Sequence, residues 1–101
     1  MELARVTGTV VATRKEPRLR GFKILLTQLA APDGTPDGAA VVALDSVGAG
    51  EGELVLLVRG SSARLACELE HFPVDAVILG IVDQVTQDGS TVFMKDDDAS
   101  G

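Results

Sequence analysis

The sequence contains no tryptophan and no tyrosine, and three phenylalanines are its only aromatic residues. Single-strand nucleic-acid binders stack bases on aromatic side chains, at about 1–3 kcal/mol per base, so that mode of binding has little to work with. A basic excess is also missing: nine Lys and Arg stand against fifteen Asp and Glu, for a net charge of −6. Nucleic-acid partners normally leave a basic footprint. The single Cys67 cannot form an intramolecular disulfide, which suits a reducing compartment, and it reads as a small buried apolar residue. One histidine, one cysteine and carboxylates outside any D-x-D-x-D-G pattern give no metal-ligand spacing. Neither metal nor cofactor is expected. No apolar run approaches the roughly 20 residues of a membrane-spanning helix. The opening MELARVTGTVV places Glu2 first and is not built like a secretion signal. The expectation is a soluble, intracellular chain.

What is present is aliphatic. Hydrophobic residues make up 46% of 101 residues, mostly Val, Leu, Ala and Ile, in a length suited to one domain. A chain this short buries only about two-thirds of its unfolded surface. Its apolar content therefore belongs either to contacts with other copies or to an unusually apolar core, and composition leaves both open.

Period-two patterning with Thr and Val predicts a first strand over Leu3–Thr13, bent or bulged at Gly8. A charged turn over 14–21 leads to a second strand, Phe22–Ala30, and APDGTPDGA (31–39) reads as a surface loop. Further strands are expected at 40–44, 53–58 and 74–85, the last bent at Gly80. SSARLACELE (61–70) has good helix formers behind two capping serines. QDGSTVFMK (87–95) reads as an Asp-Gly turn and a short final strand, and 96–101 as a disordered acidic tail. The fold expected is all-β: a small OB-like five-stranded barrel with one short helix.

Gly48-Ala49-Gly50-Glu51-Gly52 suggests a phosphate cradle, but a strand rather than a helix follows, and Glu51 and Glu53 would repel an anion. A tight loop using glycine for close backbone approach is the better reading. His71 with Ser61 and Ser62 offers the residue types of nucleophilic catalysis without a nucleophile elbow, and the serines are explained as caps. Asp75 and Asp83, on an apolar strand, are expected to hydrogen-bond loop amides at strand ends. Five of the nine basic residues, Arg14, Lys15, Arg18, Arg20 and Lys23, fall within ten positions. That patch reads as a solvated turn or a contact to an acidic protein surface. Small residues on glycine loops, with Arg64 close by, suit a junction where several chains meet around an axis.

MELARVTGTVVATRKEPRLRGFKILLTQL, VALDSVGAGEGELVLLVRGSSAR and PVDAVILGIVD, in this order, resemble the EutN/CcmL family, the vertex proteins of bacterial microcompartments. The likeness covers residues 1–86 and leaves 87–95 and 96–101 as an extension. It implies an OB-like barrel assembling as a cyclic homopentamer, without chemistry, in a shell within the bacterial cytoplasm. Hexameric shell proteins are the implied partners; nucleic acid and membrane are not. Asp45, Gly48, Ala49 and Gly50, with Gly60, Ser61, Ser62 and Arg64, are then expected at subunit contacts or the central pore. Arg14, Lys15, Arg18 and Arg20 are expected to face neighbouring shell proteins. The competing reading is an OB-type module binding nucleic acid or oligosaccharide.

Overall fold

A computed structural model describes residues 1–14, 17–60, 63 and 75–97. Alternation sets the barrel wall. Ala4 and Val6 of β1 (Glu2–Val10) point inward beside Leu25 and Thr27 of β2 (Lys23–Ala30), and all four are essentially inaccessible to water. β3 (Pro36–Asp45) adds Ala43, β4 (Leu54–Arg59) adds Val55 and Leu57, and β5 (Ala76–Ile81) adds Ala76 and Ile78. The strands close in the order β1-β2-β3-β5-β4. All pairs are antiparallel except β3 with β5, which run parallel through only two residue pairs, Leu44 with Val77 and Asp45 with Ile78. This is the order of an OB-type barrel.

Closing so small a barrel requires sharp local curvature, supplied by bulges. The β1–β2 register slips between Val6 and Gly8, and the β4–β5 register slips where Leu56 faces Gly80 but Leu57 faces Ile78. Both glycines read from the sequence as bends therefore sit at register shifts. A second apolar layer lies on the outside of the wall. Leu44, Val58 and Val77 are covered there by Ala63 and by Leu19, Phe22 and Ile24 from the β1–β2 connection and the start of β2.

Several boundaries differ from the sequence expectation. β1 ends at Val10, where its partner Ile24 begins the β2 pairing, and Val11 beyond it is 88% exposed. β3 starts at Pro36 rather than at 40, because a tight turn delivers the chain straight back onto β2. In that turn Gly34 N donates to the Ala31 carbonyl at 2.8 Å, and Ala31 N donates to the Thr35 carbonyl at 2.9 Å. The long fifth strand is two strands. Val82 N still donates to the Leu54 carbonyl at 2.8 Å, and the chain then leaves the barrel to form a hairpin of β6 (Gln84–Gln87) and β7 (Ser90–Met94). The expected Asp-Gly turn joins them, with Asp88 at φ 52° and Gly89 at φ 81°, the two positive values a type I′ turn requires. Lys95–Asp97 follows as one 3-10 turn. The helix expected over 61–70 lies outside the described residues except for Ala63, which is helical and buried.

Candidate functional site

The glycine loop joins β3 to β4 and is anchored at both ends. Asp45 is buried at the end of β3, and its Oδ1 accepts from Val47 N at 3.1 Å. Ser46 Oγ donates to the Ile78 carbonyl at 2.7 Å. Gly48 turns the chain at φ 80°, in the left-handed region that favours glycine. Ala49 is fully buried, and its carbonyl accepts from Lys23 Nζ at 3.2 Å. Gly50 N donates to Glu53 Oε1 at 2.7 Å, and Gly52 N donates to the Val6 carbonyl at 2.8 Å. The loop is thus closed by protein groups, and its Gly50 and Gly52 amides point at internal acceptors. That overturns the phosphate cradle on geometry as well as on charge.

Two charged clusters fix the far side of the loop. Glu53 Oε2 lies 2.6 Å from Lys95 Nζ. The Lys95 ammonium, with the Gly50 amide, holds the Glu53 carboxyl below its usual range, and Glu53 in turn raises Lys95. Arg5 reaches from β1 to donate through Nη1 to the Gly52 carbonyl at 2.9 Å. Its Nε and Nη2 donate to the Gly34 carbonyl at 3.0 and 2.7 Å. The same guanidinium lies 5.3 Å from the centre of the Phe93 ring, a cation–π distance. Neither Arg5 nor Lys95 stood out in the sequence. A lone Arg on the polar side of a strand and a lone Lys after a short strand have no local pattern to mark them.

Gly60 sits at the opposite end of β4 from Gly52, with the six-residue strand Leu54–Arg59 between them. At about 3.3 Å per residue, the two glycine turns lie roughly 20 Å apart along the barrel. Gly60 has φ 73°, donates from its N–H to the Asp75 carbonyl at 2.9 Å, and accepts from Ala63 N at 3.1 Å. Beside it, Arg59 forms a two-point pair with Glu2 at 2.6 and 2.9 Å. The fold therefore brings Asp45, Gly48, Ala49 and Gly50 together and separates them from Gly60. Ser61, Ser62 and Arg64 lie outside the described residues, as does His71.

Of the basic turn, Arg14 and Arg20 are exposed, Lys15 lies outside the described residues, and only the backbone of Arg18 is described. The turn is not a free loop. Leu19 and Phe22 pack it onto the outer apolar layer, and Lys23 is spent on the Ala49 carbonyl. The role expected for Asp83 is not met: its side chain is 82% exposed and lies 4.0 Å from Lys95 Nζ rather than on a loop amide. Asp45 does that work instead. Among the described residues, no group of three or more His, Cys, Asp and Glu is placed to hold a metal, and no helix is long and apolar enough to cross a membrane.

Comparison with known proteins places this geometry. The family model described as "Ethanolamine utilisation protein EutN/carboxysome" matches residues 1–83. The bacterial microcompartment shell vertex protein EutN of Escherichia coli K12 is 48% identical over 95 residues, covering 94% of this chain and all of that one. The carboxysome shell vertex protein CcmL of Gloeobacter violaceus is 47% identical over 97 residues, covering 96% of this chain and 97% of that one. The solved structure of Gloeobacter violaceus CcmL superposes with a TM-score of 0.86, at 47% identity, covering 96% of this chain and all of that one. A pentameric microcompartment shell protein, GrpN from Rhodospirillum rubrum, superposes with a TM-score of 0.76 at 44% identity, covering 86% of this chain and 99% of that one.

Proposed function

The chain belongs to the EutN/CcmL family, and from that premise we propose that five copies form a ring that caps a vertex of a bacterial microcompartment shell. The observation that carries the reading is a likeness along the whole barrel and hairpin to the shell vertex proteins EutN and CcmL, joined by the likeness to GrpN, a pentameric microcompartment shell protein. The geometry gives such a protein its use. A flat sheet of hexagonal tiles closes into a polyhedron only where pentagons interrupt it, and a ring of five barrels is such a pentagon. The work is structural and no reaction is assigned. The place of action is the shell, in the bacterial cytoplasm.

A five-fold ring is built from head-to-tail contacts, so each copy presents two different surfaces to its neighbours. The glycine loop (Asp45, Gly48, Ala49, Gly50) and the Gly60 turn with Ser61, Ser62 and Arg64 are the proposed contact and pore elements. Gly60 lies at the opposite end of β4 from the glycine loop, so the two elements are proposed to serve different parts of the ring. Arg14, Lys15, Arg18 and Arg20 are the proposed contact to hexameric shell proteins, where complementary charge steers association and fixes register. Leu19 and Phe22 brace that turn from beneath.

The test is the absolute mass in solution by light scattering behind size exclusion. Five times the 10.5 kDa chain mass is the expected value, and a stable monomer would overturn the ring. Charge reversal of Arg14 and Arg20 to Glu should leave that mass unchanged and impair incorporation into shells formed with hexameric partners. Normal shell closure by the reversed variant would remove the basic turn from the contact.

A further inference from the structure

We infer that the C-terminal hairpin is a clasp that sets the shape of the glycine loop, with Arg5, Glu53 and Lys95 as its positioning residues. The two oxygens of Glu53 face two partners. Oε1 accepts the Gly50 amide inside the loop, at 2.7 Å, and Oε2 meets Lys95 Nζ at 2.6 Å. Lys95 stands at the base of the hairpin, where its backbone N–H donates to the Asp83 carbonyl at 2.8 Å. The carboxylate that shapes the loop is therefore itself held by the hairpin.

Arg5 makes the second link. It donates to the Gly52 carbonyl on the loop side and lies over Phe93 on the hairpin side, and Phe93 is only 5% exposed. Gly50 and Gly52 are thus fixed through two side chains, and each of those side chains also contacts β7 or the residue after it. The dependence runs both ways. A two-stranded hairpin is marginal by itself in water, and β6–β7 form a sheet separate from the barrel. The loop in turn spends Gly48 in open space, where an added Cβ would meet nothing within 4 Å. It gains its definition from the anchors at its ends. The effect of the clasp on assembly rests on the proposed placing of this loop at a subunit contact, whereas the clasp itself does not.

The test uses the full chain and reads hydrogen exchange of peptides covering residues 48–53 and 84–94. Lys95→Met should speed exchange in both, by about threefold in the loop, the scale of an accessible ion pair. Lys95→Arg should restore protection. Glu53→Gln keeps an acceptor for the Gly50 amide while removing the charge, and combined with Lys95→Met it should add little, since both cut the same link. Arg59→Met, which breaks the equally short pair with Glu2, should leave the loop unaffected and so controls for general weakening. Faster exchange in 84–94 with an unchanged loop in Lys95→Met would overturn the clasp. The mass of the assembly against dilution is read on the same variants. A looser loop with earlier ring dissociation supports both the clasp and the contact, whereas a looser loop with an unchanged ring keeps the clasp and removes the glycine loop from the subunit contact.

Discussion

Ser46 Oγ donates to the Ile78 carbonyl oxygen across 2.7 Å, joining the first residue of the glycine loop to the strand that closes the barrel. β3 and β5 share only the two residue pairs ending at Asp45 and Ile78, so this side-chain bond lengthens their seam by one further step.

Ser46→Ala removes that step and leaves the carbonyl without its donor. A net hydrogen bond is worth about 0.5–1.5 kcal/mol, and a domain of this size shifts by about 4–8 °C per kcal/mol. The melting temperature should fall by several degrees in a calorimetric scan. An unchanged melt would show that the seam does not depend on Ser46.

Thr27→Val tests a polar group inside the barrel. Thr27 is fully buried in β2, and its Oγ1 donates to the Val41 carbonyl at 2.7 Å. The substitution preserves shape and removes the donor, so stability in denaturant should drop by about 1–2 kcal/mol with the slope unchanged. A neutral result would mean that the Val41 carbonyl finds a replacement donor.

Gly48 and Gly50 separate backbone strain from contact with a neighbour. Gly48 sits at φ 80° in open space, so Gly48→Ala should destabilise the chain by roughly 1 kcal/mol through the left-handed backbone alone. At Gly50 an added Cβ would lie an ordinary 3.6 Å from Glu53 Oε1, and Gly50→Ala should leave the isolated barrel nearly unchanged. Loss of the five-chain mass in Gly50→Ala would therefore report a neighbouring subunit. Full retention would place that neighbour elsewhere.

The loop should respond to acid. Lys95 and the Gly50 amide lower the Glu53 pKa, so the contribution of this carboxylate is present above the unfolded value of about 4.3. It is lost as pH falls through the lower folded value. Lys95 is raised, so its contribution is present below about 10.4 and is lost as pH rises through the folded value. Loop protection, corrected for intrinsic exchange, should be flat between about pH 5 and 9 and fall in acid. Lys95→Met should blunt the acid response, and an identical acid profile in that variant would disconnect the pair from the loop.

Much of the barrel could be read from alternation. β1, β2 and β4 emerged within one to three residues of their observed limits, Gly8 marked a bulge, and Asp88-Gly89 marked its hairpin. β3 was half missed because Asp37-Gly38-Ala39 has poor strand propensity. Pairing with β2 overrides that, and Gly38 is suited to it, since a Cβ there would come within 2.7 Å of Leu29 Cβ. The break after Ile81 was hidden by the run of apolar residues into Val82 and Val85, which carries no sign of which partner each residue meets. The glycine loop itself was visible. What fixes it was not, because Arg5, Gly34, Gly52 and Phe93 converge only in three dimensions.

The reach of Arg5 has a consequence for the order of folding. Its bonds to Gly34 and Gly52 span 29 and 47 positions of chain, and contacts of such separation form late, after closer segments have paired. The β6–β7 hairpin is local and forms in about 1–10 μs, whereas its Phe93 docks on an Arg5 whose other bonds are these long-range ones. During synthesis the barrel strands also leave the ribosome before residues 84–95 do. The glycine loop therefore reaches its final shape as a closing event, and a chain acquires a finished contact surface only when its barrel is already complete.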